Sequence, residues 1–122
     1  MNAYKPDKLT IGLTEEILLY GQTVKKVKAR IDTGATKSSI DEKLAEELGL
    51  GPAIGKSVIK SASGQTTRPV IRAEVRVHGK KLIADFTTID RNHMKYKVLI
   101  GQNILLRGFL IDPNKKPEED KK

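Results

Sequence analysis

One carboxylate stands out by its setting. The β-rich lead-in Ala29-Arg30-Ile31 delivers Asp32 onto a tight turn, Asp32-Thr33-Gly34-Ala35. Thr33 carries a short hydroxyl that can lock such a turn. Gly34 permits a close backbone approach that a Cβ would block, and Ala35 is small enough to sit against a neighbouring strand. A reactive aspartate held rigidly at the floor of a cleft needs those neighbours. Its chemistry would be proton transfer. Two such carboxylates ~3 Å apart cannot both ionise, so they share one proton. The protonated one can polarise a carbonyl while the ionised one takes a proton from water. The chain holds one Asp-Thr-Gly, so a second copy would have to come from a second chain related by a two-fold axis. On the tripeptide alone, a polar turn between two strands is the competing reading.

The surrounding elements must hold that turn. Val24 to Ile31 alternates, with Val27, Ala29 and Ile31 on one face and Lys26, Lys28 and Arg30 on the other. Leu9–Leu13 and Glu16–Tyr20 read as strands before it, with Gly21-Gln22 as a turn. Ser38-Ser39-Ile40 is a short return strand. Asp41 can cap a helix running to Leu48, which Gly49 and Gly51-Pro52 would stop. A hairpin spans Val58 to Val70, with Ser61-Ala62-Ser63-Gly64 at its tip. Ala73, Val75 and Val77 alternate with polar residues, His78-Gly79 turns the chain, and Leu82–Ile89 pairs back. Asp90 to Lys95 is a loop. Val98-Leu99-Ile100-Gly101 is an apolar strand that opens into a short helix, Gln102–Leu106, before a last strand at Phe109–Ile111. Many short strands with one or two short helices imply an all-β, closed-barrel domain of a single lobe. We expect a flexible N-terminus over residues 1–8, the domain over residues 9–112, and a disordered charged tail over residues 113–122.

Composition narrows the possible functions. At 122 residues the chain supports one modest core. With 2 Phe, 3 Tyr and no Trp, that core must be built from Val, Ile and Leu. There is no Cys, which rules out disulfides and thiolate metal sites and suits a reducing cytoplasm. No stretch approaches the ~18 apolar residues of a membrane helix. The net charge of +8 would attract an acidic partner. The lysines are dispersed and lack the interleaved aromatics of a base-stacking platform, so nucleic acid is not the expected partner.

Other chemistries lack their residues. A hydrolytic zinc site usually needs three protein ligands, and only His78 and His93 are present, at a hairpin tip and in a polar loop. No phosphate-cradling Gly-x-x-x-x-Gly-Lys-Ser/Thr loop occurs. Ser38, Ser39, Ser61 and Ser63 have no His and Asp at positions suggesting a nucleophilic triad. No metal or cofactor is expected.

Asp32-Thr33-Gly34-Ala35 followed by Val98–Gly101 and a short helix resembles the retroviral-type aspartic peptidases. The likeness extends along the chain through Arg30–Ile40, Lys60–Gln65, Arg68–Ile71, Asp90–Tyr96 and Gly108–Pro113. Together these resemble a prokaryotic retropepsin-like family. Its members are often labelled ATP-dependent zinc proteases and often accompany ATP-grasp ligases that attach glutamate to proteins. The resemblance implies a homodimer in which each chain supplies Asp32 to a water-activating dyad. It also implies that Thr33 links the two catalytic loops and that Gly34 offers backbone contact to substrate. Ala35, the hairpin tip Ser61-Ala62-Ser63-Gly64 and Ile100 would contact a peptide or protein substrate, and an acidic or glutamylated one would suit the charge. A small-residue tip suits a lid that opens and then excludes water. The helix after the apolar-Gly strand opens with Arg in retroviral peptidases, whereas here Gln102 takes that place. A non-catalytic binding domain of the same fold, engaging an acidic protein or RNA, is the alternative.

Overall fold

The computed structural model describes residues 8–116. Residues 1–7 and 117–122, which include most of the expected loose ends, lie outside the described residues. In chain order the elements are β1 (Leu9–Ile11), β2 (Thr14–Tyr20), β3 (Val24–Ile31), β4 (Ser38–Asp41), α1 (Glu42–Glu47), β5 (Gly55–Ser61), β6 (Gly64–Val77), β7 (Lys80–Ile89), β8 (Val98–Ile100), α2 (Gln102–Leu105) and β9 (Phe109–Ile111).

Six strands close on themselves in the order β2-β3-β8-β4-β7-β6, and β6 returns to β2 through Ile17–Tyr20 against Glu74–Val77. The result is an all-β closed barrel with two short helices. The length of β6 permits the closure, since its first half pairs with β5 and its second half with both β7 and β2. The β5–β6 hairpin projects beyond the barrel, and residues 60–67 are exposed along it. Ser61 pairs with Gly64, so Ala62-Ser63 is the two-residue loop. β1 and β9 form a separate parallel pair that joins the two ends of the domain.

The inward faces carry the core expected from the alternation. Ile17, Leu19, Ala29, Ile40, Val75, Val77, Phe86, Val98, Ile100 and Ile104 are fully buried. β2 also buries Glu15, which is 2% exposed. Its Oε2 accepts the Gly12 N–H at 2.9 Å and faces the Lys115 ammonium at 3.6 Å. The lysine comes from a turn that the Lys115 N–H closes onto the Asp112 carbonyl. A buried carboxylate requires such partners. At α1, Asp41 caps the helix by accepting the Leu44 N–H through Oδ2, and its Oδ1 accepts the Arg91 N–H at 2.7 Å. The cap therefore also fixes the start of the Asp90–Lys95 loop. The β6–β7 turn is His78-Gly79, both at positive φ (50° and 82°), as a two-residue hairpin of the primed type demands. Among the described residues, no helix is long and apolar enough to cross a membrane.

Candidate active site

The Asp32 turn lies where two distant segments meet. β3 pairs in parallel with β8, placing Ile31 beside Ile100, and the Asp32 N–H donates to the Ile100 carbonyl at 2.9 Å. Gly34 N–H donates to Asp32 Oδ1 at 3.0 Å, and Ala35 N–H bonds the Asp32 carbonyl at 3.3 Å. One carboxylate oxygen is thus oriented from within the turn. Asp32 is half-buried, and Thr33 and Gly34 are exposed.

The start of α2 clamps the turn from the other side. Gln102 N–H donates to the Ala35 carbonyl at 2.8 Å and Asn103 N–H to the Thr36 carbonyl at 3.3 Å. The Gln102 side chain donates to the Thr33 carbonyl at 2.7 Å. Gln102 therefore ties the turn directly, at the position where the retroviral pattern has Arg. Ser38 Oγ accepts the Gly101 N–H at 2.9 Å and donates to Asn103 Oδ1 at 2.7 Å. Asn103 in turn donates to the Asp85 carbonyl at 3.0 Å. Gly101 passes so close that an added Cβ would stand 2.4 Å from the Lys37 carbonyl oxygen and 2.8 Å from that of Ala35. This close approach is the physical reason for a glycine at the end of the apolar strand.

A cleft of about 490 Å³ abuts the turn through Gly34. It runs between the Gly34–Ser39 segment and Ser57–Ile59 of β5, with Thr87, Ile89, Arg91 and Leu99 at its back and sides. No Asp or Glu lines it, but two cations do. Lys37 Nζ donates to Ser57 Oγ at 2.7 Å. Arg91 is 6% exposed, and its guanidinium donates to the Tyr96 carbonyl at 2.9 Å and to Ser39 Oγ at 3.4 Å. Among the described residues, no carboxylate lies within 4 Å of that guanidinium. Burial lowers the Arg91 pKa from its ordinary value, and Asp41 and, more weakly, Asp32 oppose that shift. The guanidinium remains charged.

Two sequence expectations need revision here, those for Ile100 and for the Thr33 hydroxyl. Ile100 was expected to touch substrate, but its side chain is 0% exposed. It offers a ligand no surface, and its carbonyl instead holds Asp32 in place. Thr33 was expected to lock the turn through its hydroxyl. The turn is locked through the Thr33 carbonyl instead, and among the described residues the hydroxyl has no partner. Ser61, Ala62, Ser63 and Gly64 sit at the exposed hairpin tip, away from the cleft walls, while Ser57, Val58 and Ile59 at the hairpin base line it. Lys37, Arg91 and Gln102 had no assigned role. Lys37 follows the motif directly, and its nearness was the one available signal. His78 and His93 are both exposed, and among the described residues no three His, Cys, Asp or Glu come together as a metal site.

Residues 22–107 match the family described as "gag-polyprotein putative aspartyl protease". The chain belongs to the retropepsin-like aspartic peptidase family. Among similar proteins, DNA damage-inducible protein 1 of Saccharomyces cerevisiae is 34% identical over 66% of this chain and 19% of its own length. A "Probable alpha-L-glutamate ligase" of Desulfotalea psychrophila is 29% identical over 71% of this chain and 24% of its own. The retropepsin-like chain thus spans about a quarter or less of the curated relatives it matches. Among solved structures, simian foamy virus (mac) protease superposes with a TM-score of 0.58 at 24% identity, covering 75% of this chain and 89% of that one. A Legionella pneumophila protein of unknown function superposes at 0.63 with 17% identity, covering 88% and 95%. Both likenesses are of fold.

Proposed function

We propose that this retropepsin-like chain is an aspartic peptidase. In this reading, two copies meet about a two-fold axis and their Asp32 carboxylates share a proton and activate water. The carrying observation is the clamped, surface-facing Asp32 turn. The backbone of the turn is held from β8 and through α2, and one carboxylate oxygen by the Gly34 N–H, yet no carboxylate lines the adjoining cleft. A lone carboxylate cannot act as acid and base in one step, whereas a symmetric pair can, because repulsion splits their proton affinities. The unpartnered Thr33 hydroxyl suits a bond across that axis, and the exposed Gly34 suits backbone contact with an extended peptide. Ala35 and the hairpin tip at Ser61–Gly64 complete the proposed substrate contacts, the tip by closing over the cleft.

We further infer that the substrate is acidic at the residue entering the cleft. Lys37 and the buried Arg91 guanidinium would both meet a side-chain carboxylate, and charge-assisted bonds of that kind are strong. The match to a chain named for α-L-glutamate ligation supports a glutamyl substrate. The test is light scattering over a concentration series, followed by hydrolysis of glutamyl peptides with Asp32→Asn as the control. A dimer whose hydrolysis vanishes in Asp32→Asn, with the fold unchanged, is the expected result. Hydrolysis that survives the substitution overturns the reading. A monomer at every concentration, with or without peptide, would favour a non-catalytic binding domain.

A further inference from the structure

A second charged groove lies on the opposite flank of β3. β3 pairs with β2 over Val24–Arg30, but with β8 only over Ala29–Ile31. Residues 24–28 therefore have no strand partner on the β8 side. In an antiparallel pair, every second residue turns its N–H and C=O away from the partner strand. That row of backbone groups opens into a groove of about 600 Å³ lined by Lys25–Lys28 on one side, α1 on another, and residues 92–97 on the third. At ~3.3 Å per residue, Lys28 and Lys25 lie about 13 Å and 23 Å along β3 from Asp32. The groove is thus separate from the candidate active site.

Six lysines line it: Lys25, Lys26, Lys28, Lys43, Lys95 and Lys97. Its two carboxylates are engaged, Glu47 with Lys25 at 3.5 Å and the buried Asp41 with the Leu44 and Arg91 N–H groups. Lys26 faces Glu16 at 3.9 Å. Among the described residues, Lys28, Lys43, Lys95 and Lys97 have no carboxylate within 4 Å. Lysines on an open edge repel ordinary strands and so guard it against aggregation. The same charges attract an acidic strand.

We propose that this edge is a docking site for an extended acidic peptide segment, which adds to the barrel as a strand beside β3. Its main chain would pair with residues 24–28, and its side chains would alternate. One set would lie beside Lys26 and Lys28 on the outer face. The other would lie beside Val27 and Leu44, which line the groove from the inner side. The segment is therefore acidic at every second residue and apolar between. A single-stranded nucleic acid fits less well, because Tyr96 is the one aromatic residue at the groove and a Lys95 ammonium already lies 5.5 Å from its ring centre.

The probe is a fluorescein-labelled octapeptide of alternating Glu and Val, followed by anisotropy on the full chain carrying Asp32→Asn, so that the probe cannot be cut. The triple variant Lys28→Gln/Lys43→Gln/Lys95→Gln, all exposed positions, should weaken binding about tenfold or more. Removing the same charge at Lys56, Lys60 and Lys81 should change affinity by less than about twofold. A peptide N-methylated at alternate residues should also lose about tenfold, because it cannot donate to the β3 edge. Equal losses in the two triple variants, or undiminished binding of the methylated peptide, would overturn the proposal. So would displacement of the peptide by a tighter-binding oligonucleotide of equal charge.

Discussion

Replacing Ser38 by Ala tests whether the Asp32 turn is held as described, and it needs no substrate. Ser38 is fully buried and its hydroxyl serves two partners. It accepts the Gly101 N–H at 2.9 Å and donates to Asn103 Oδ1 at 2.7 Å. Alanine removes one oxygen and leaves the buried Gly101 N–H without a partner. An orphaned buried donor costs ~1–3 kcal/mol. Asn103 is half-buried and can reach water, so its lost bond adds only ~0.5–1 kcal/mol. The sum is about 1.5–4 kcal/mol, a large share of the ~5–15 kcal/mol that holds a domain of this size. At this length it should lower Tm by about 10 °C. Urea unfolding followed by circular dichroism measures the loss, with Ser63→Ala at the exposed hairpin tip as a control expected within ~0.5 kcal/mol. A Ser38→Ala loss below about 1 kcal/mol would refute the reasoning, because it would mean the junction between the two motifs does not depend on that hydroxyl.

Three further outcomes follow from single contacts. Gly101→Ala places a Cβ 2.4 Å from the Lys37 carbonyl oxygen, so backbone must move. We expect a loss of about 3 kcal/mol in urea unfolding, with the largest amide NMR shifts at residues 32–38. Lys115→Met removes the ammonium 3.6 Å from buried Glu15. Because that lysine is a quarter exposed, the cost in thermal unfolding should be about 1–2 kcal/mol rather than the full value of a broken buried pair. His78→Asn keeps the turn polar but replaces a residue held at φ 50° by one better suited to that region. It should raise stability by about 0.5 kcal/mol in the same assay.

What the sequence made legible was local. The alternation of β3, the Asp41 cap of α1, the His78-Gly79 turn and the apolar strand ending at Gly101 each depend on a few neighbouring residues, and each is present in the structure. The contacts that give the candidate site its character are long-range. Nothing around Arg91 announces that its guanidinium is buried, because arginine is rarely buried without a carboxylate. Its position follows from Asp41 gripping its backbone fifty residues away in sequence. Gln102 stands where the retroviral peptidases have Arg, and that exchange gives no hint that an amide can reach the Thr33 carbonyl. Glu15 lies on the inward face of β2, and its partner Lys115 falls in a stretch whose composition reads as tail. Ile100 was misjudged for a related reason. An apolar residue beside a reactive turn suggests a subsite, but its carbonyl, not its side chain, faces the turn.

The pairing of the two ends also bears on how the proposed dimer could form. β1 and β9 pair in parallel within one chain, and the Leu9 N–H and Asp112 N–H extend that pairing through the Gly108 and Ile11 carbonyls. Each domain therefore completes this ribbon from its own residues. A dimer of such chains would need no exchange of terminal strands. Among the described residues, the exposed face around Asp32 would supply contacts across the proposed axis. Thr33 and Gly34 lie there, and so does Leu13, which is 55% exposed although its carbonyl accepts the Ile31 N–H beside the turn. An interface confined to a three-residue turn and its neighbours would bury little area, and area limits the number of well-packed contacts. Two intact barrels meeting this way would separate on dilution without unfolding. A peptide spanning both clefts would then add its own contacts to each chain and draw the pair together by mass action. The proposed dyad would then assemble with its substrate, while the clamp from α2 would keep each Asp32 turn in shape with the chains apart.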